Sequence, residues 1–63
     1  MIEINFCGDV DLNLFANSVP REGEAVNIAK TDYIVTLVCW SVDYSSKSIH
    51  ERKLRAIVEL QKA

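Results

Sequence analysis

Histidine and proline occur once each in this 63-residue chain, and glycine and cysteine twice each. Two isolated glycines, Gly8 and Gly23, are too few for a G-x-G-x-x-G or P-loop phosphate cradle, which needs several in one turn. Neither C-x-x-C nor H-x-x-x-H spacing occurs, so the usual sequence signs of a metal centre are missing. Asp9 and Asp11 in GDVD fall short of a calcium loop, which needs more carboxylates and a bidentate Glu in register. His50 lies in a polar stretch, whereas Cys7 and Cys39 lie inside apolar runs and read as small buried hydrophobes. No nucleophile and base are thereby placed together. The expectation is a protein that is not an enzyme and has no catalytic, cofactor-binding or metal site.

Long apolar segments are missing too. No run approaches the 18 or so residues of a membrane-spanning helix, and MIEINFCGDV has no basic stretch leading into an apolar one. These absences favour a cytoplasmic protein with reduced thiols and no membrane partner.

What the chain does have is an ordinary globular balance, 49% hydrophobic and 25% charged residues. Residues 1–63 are enough for one domain, with a core thin enough to make a homodimer an attractive extra source of stability. The formal charge is -2, but it is unevenly spread. Met1 to Ser45 hold seven acids against two bases, and Ser46 to Ala63 hold five bases against two acids. Such asymmetry steers charged partners toward one side of a small protein. The net negative charge argues against direct nucleic-acid binding.

Periodicity points to strands. IEINF alternates Ile2, Ile4 and Phe6 with polar residues, and VDLNLFA alternates Val10, Leu12, Leu14 and Ala16 with Asp11, Asn13 and Phe15; the intervening turn makes them a hairpin. Asn17, Ser18, Pro20 and Gly23 mark residues 17–23 as a connection, because Pro20 cannot donate to a central ladder and Gly23 accepts positive φ. EAVNI follows as a strand, AKTD as a turn, and YIVTLVCWSV as a long central strand anchored in the core by Trp40. Tyr33 and Val35 share one parity, and Val38, Trp40 and Val42 the other, so a β-bulge is expected at Thr36 or Leu37. Near the end, Leu54, Ala56, Val58 and Leu60 alternate as a strand from about Lys53, although Ser48 and Glu51 also fit a capping box. The fold class expected is mainly β: one small antiparallel curled sheet of about five strands, with a short helix or helical turn near residues 46–52.

The elements Val19-Pro20-Arg21, Gly23-Glu24 and Val26, then Tyr33, Val35, Val38 and Trp40, resemble a group of very small bacteriophage and mobile-element proteins. The group has a Val-Pro-Arg-x-Gly-Glu-x-Val element before a Tyr-x-Val-x-x-Val-x-Trp strand. The resemblance spans about Ile2 to Leu60 and implies an SH3-like, partly open β-barrel. The DYSSKSIHER stretch is a departure from it.

In size, acidity and lack of motifs the chain also resembles anti-CRISPR proteins. That implies an inhibitor in the cytoplasm of a bacterial host, blocking the nucleic-acid-binding surface of a protein complex such as a CRISPR effector. The residues expected to meet the partner are Glu3, Asp9, Asp11, Glu22 and Glu24, with Phe15 as an anchor. Two other readings stay open: a small virion or assembly accessory protein, and a nucleic-acid-binding barrel using Lys47, Arg52, Lys53 and Arg55.

Overall fold

The first strand and the last lie side by side, and that pairing organises the molecule. In the computed structural model, which describes residues 1–42 and 53–63, five strands form one sheet: β1 (Ile2–Gly8), β2 (Leu12–Ala16), β3 (Ala25–Ile28), β4 (Thr31–Val42) and β5 (Leu54–Lys62). Their order across the sheet is β2-β1-β5-β4-β3. The sheet curls through 229° into a half-barrel.

The curled β architecture agrees with the sequence reading, with two corrections. The sheet is mixed, because β1 and β5 run parallel while every other pair is antiparallel. Alternation reveals which face of a strand is buried but says nothing of its direction, so this pair was invisible to periodicity. The central position also belongs to β5 and not to β4. Ala56, Val58 and Leu60 of β5 are almost wholly buried, flanked by β1 on one side and β4 on the other. The helical turn expected near residues 46–52 lies outside the described residues.

One face of the half-barrel forms the core. Ile4, Phe6, Val35, Ala56, Val58 and Leu60 are its buried members, with Ile2, Val10, Ala16, Val19, Val26, Ile28, Tyr33 and Val38 packed around them. These side chains reach the same face because directly paired residues share it: Ile4 lies between Leu14 and Ala56, Phe6 between Leu12 and Val58. The bulge occurs where the phase change required it. Val35 stands opposite Leu60 and Leu37 opposite Glu59, leaving Thr36 as the extra residue. Its hydroxyl lies 3.2 Å from the Glu59 carbonyl oxygen and 3.0 Å from the Glu59 Oε1.

Topology explains the lone proline. β2 and β3 are the two outer strands of the sheet, so residues 17–24 must connect one edge of the half-barrel to the other. Val19 packs on the core from this connector. The connector then closes a turn in which Glu24 N donates to Arg21 O at 3.0 Å and Gly23 takes φ 88°, the conformation a type II turn requires at its third residue. Arg21 N donates to the Glu24 carboxylate at 2.5 Å, locking the same turn. Gly23 and Glu24 then join the edge of β4, exchanging two backbone hydrogen bonds of 2.9 Å with Val35.

Two residues expected inside are outside. Cys39 is exposed on the convex face, level with Ile57, and Trp40 is 47% exposed. Trp40 does lie on the concave parity, opposite Ala56. β3, however, pairs with β4 only from Thr31 to Ile34, so no strand flanks β4 on that side at Trp40 among the described residues. Cys7 is half-buried, and both thiols are free.

Candidate interaction surface

The N-terminal hairpin, Ile2 to Ala16, carries Glu3, Asp9 and Asp11 and no lysine or arginine. Its register places Glu3 and Phe15 directly opposite each other on the convex face. Phe15 is 64% exposed there, on an outer strand. Glu3 is half-buried, accepts a 3.2 Å hydrogen bond from Asn5 Nδ2, and lies level with Arg55 on its other side. Glu3 and Phe15 also edge a hollow of about 340 Å³ shared with Met1, Ile2, Lys53 and Leu54. An exposed aromatic beside a carboxylate and a shallow hollow is an arrangement by which a side chain anchors a protein contact.

Asp9 and Asp11 occupy the opposite end of the same hairpin. Asp9 N donates to Leu60 O at 3.0 Å, and the Asp9 carboxylate accepts from Lys62 N at 2.8 Å. Asp9 thus joins the end of β1 to the end of β5 as well as contributing charge. Asp11 is exposed and has no such role among the described residues.

Glu22 and Glu24 lie on the connector, separated from the hairpin across the sheet. The Glu24 carboxylate is occupied in its own turn. Glu22 borders a second groove of about 440 Å³, lined by Val19, Pro20, Arg21, Val38 and Trp40. The six residues expected to meet the partner divide into a hairpin set (Glu3, Asp9, Asp11, Phe15) and a connector set (Glu22, Glu24). Trp40 was missed as a surface residue, because a tryptophan in an apolar run reads as core unless the length of the neighbouring strand is known.

Of the basic residues, Lys53 and Arg55 are exposed at the Glu3 end, and Lys47 and Arg52 lie outside the described residues. Among the described residues, no group of three or more His, Cys, Asp or Glu side chains is placed to hold a metal ion, and no helix is long and apolar enough to cross a membrane.

The arrangement is that of a small curled β half-barrel with an acidic hairpin on one flank, an exposed aromatic at its open end. No protein-family model matches the chain, and no curated protein or solved structure matches it either.

Proposed function

We propose that this chain is a phage-encoded interaction protein that inhibits a host defence complex, specifically an anti-CRISPR that blocks a nucleic-acid-binding surface. It acts by contact, without catalysis or cofactor, in the cytoplasm of the bacterial host. The observation that carries this reading is the hairpin Ile2 to Ala16, which combines three carboxylates, no cation and an exposed Phe15. A groove built to hold a phosphate backbone is basic, and carboxylates along the hairpin meet it with the sign of charge it is built for. Phe15 supplies the apolar anchor that carboxylates alone lack. The resemblance to small phage proteins and to anti-CRISPR proteins supplies the class of partner.

The test is an interference assay in bacteria carrying a CRISPR system and challenged with a targeted plasmid or phage. The native protein is expected to restore transformation or plaque formation. Glu3→Lys combined with Asp11→Lys should abolish that protection and Phe15→Ala weaken it, with folding checked by circular dichroism. Protection unaffected by the charge reversals would overturn the assigned surface. Absence of protection across effector types, with the protein instead co-purifying with virions, would replace the reading with that of a virion component. Salt-sensitive oligonucleotide binding would favour the basic end, Lys53 and Arg55 among the described residues.

A further inference from the structure

Beyond Val35, the outer edge of β4 has no strand paired with it among the described residues. β3 pairs with β4 only over Thr31 to Ile34, and the connector's last hydrogen bonds reach Val35. From Leu37 to Val42, β4 keeps β5 on one side and has no strand on the other among the described residues. Which backbone groups face that open side follows from alternation. Val35 N–H and C=O bond the connector, and Leu60 C=O bonds Asp9 on the β1 side, so Val35 and Leu60 do not bond each other. Past the bulge, Leu37, Cys39 and Ser41 therefore bond β5, and the N–H and C=O groups of Val38, Trp40 and Val42 point outward. No backbone–backbone hydrogen bond among the described residues uses these outward groups, and the Trp40 carbonyl oxygen accepts only a long contact from the Cys39 thiol, at 3.9 Å.

Natural edges are guarded by lysine, proline, bulges or short strands. Leu37 to Val42 contains no proline and no charged residue. Leu37, Trp40 and Val42 are 50%, 47% and 45% exposed. We infer that a second copy of this chain pairs with this edge, antiparallel and two-fold symmetric about Trp40, so that two half-barrels join into one continuous sheet.

The sequence is self-complementary for that purpose. With Trp40 opposite Trp40 of the second copy, Val38 stands opposite Val42 and Val42 opposite Val38. All three are residues whose backbone faces outward, which gives about six inter-chain hydrogen bonds. Cross-strand valine and tryptophan pairs are the pairs that stabilise a sheet, and a contact repeated by two-fold symmetry has to be complementary to itself. Charge agrees: the paired segment is neutral, and Arg21 and Glu22, which flank Trp40 across the groove, offer both signs from each copy. A core of six buried side chains gains most from such an extension. The hairpin assigned to a host partner lies at the far flank of the sheet, so the dimer displays it twice, and neither proposal depends on the other.

The register supplies its own test. Trp40→Lys and Trp40→Glu each place like charges face to face and should raise the dimer dissociation constant by about 30-fold or more, measured by sedimentation of the purified protein. Mixing the two variants should restore the dimer, because only a symmetric register sets position 40 against itself. Cys39 would stand opposite Ser41 of the second copy in a non-hydrogen-bonded pair, at the Cα separation a disulfide accepts. Ser41→Cys in a Cys7→Ser background should accordingly yield a covalent dimer on mild oxidation, a readout that survives even if a Trp40 variant folds poorly. A native protein that stays monomeric at millimolar concentration overturns the proposal. So does a dimer that survives Trp40→Lys, or a Ser41→Cys variant that forms no inter-chain disulfide.

Discussion

Gly8 lies so close against Leu60 that a β-carbon on it would press into the Leu60 carbonyl oxygen, and its φ of 93° belongs to the left-handed region. The parallel pairing of β1 with β5 ends at this contact, where Gly8 stands opposite Leu60 and Asp9 N bonds Leu60 O. Gly23 also has positive φ, 88°, but nothing lies within 4 Å of the place its β-carbon would take. Gly23→Ala should therefore cost only the conformational penalty, about 1–2 kcal/mol. Gly8→Ala should cost clearly more, because backbone has to move. Urea titration of the two variants decides it, and equal losses would show that β1 and β5 do not end in this close approach.

The β3–β4 hairpin offers a gain. Ala29 and Lys30 form its two-residue loop with φ of 51° and 68°, the type I′ geometry that favours Asn-Gly. A residue with a β-carbon is strained there by about 1–2 kcal/mol. Ala29→Asn with Lys30→Gly should stabilise the protein by about 1–2 kcal/mol and raise Tm by about 4–8 °C per kcal/mol. An unchanged or lower Tm would argue against this turn.

The structural role of Asp9 is separable from the contact proposed for it. Its carboxylate accepts from Lys62 N, a bond that an amide oxygen can also accept. Asp9→Asn should retain stability and weaken partner binding, whereas Asp9→Ala should lower both, the stability by about 0.5–1.5 kcal/mol. Thermal melts set beside binding data separate the two effects; equal stability losses in both variants would deny the hydrogen bond its part.

Leu60 is 1% exposed at the centre of the core, whereas Leu37 is 50% exposed on the convex face. Leu60→Ala should cost about 2–5 kcal/mol, much of the roughly 3–9 kcal/mol that a chain of this length holds. Leu37→Ala should stay within about 0.5 kcal/mol. Similar losses at both sites would mean that the convex face is covered.

The sequence made some of this legible and hid the rest for identifiable reasons. Alternation in IEINF, in VDLNLFA and from Leu54 to Leu60 located three strands, the second of them two residues too long at its start, and the parity change between Val35 and Val38 located the bulge, because burial on one face imposes a period of two. Proline and glycine punctuation located the connector. The parallel neighbours β1 and β5 could not be read, since alternation carries no direction. Trp40 was misplaced because the short β3, and the edge it leaves bare, depend on tertiary pairing; Cys39 was misplaced because its apolar run outweighed the parity of Val38 and Trp40, which already sets it on the convex face. Of the residues proposed for contact, the composition of the hairpin was legible. That Glu24 and Asp9 spend their carboxylates on backbone N–H groups was not, because both bonds depend on the folded geometry.

The central claim is that the N-terminal hairpin meets a basic, nucleic-acid-handling partner. Its most direct test is a paired pull-down from lysate of a CRISPR-bearing host, with the native protein and the Glu3→Lys, Asp11→Lys double variant as parallel baits and mass spectrometry as readout. The account predicts stoichiometric recovery of a CRISPR effector subunit with the native bait and its loss with the variant. Equal recovery by both baits, or recovery of only virion proteins or nucleic acid, would contradict it.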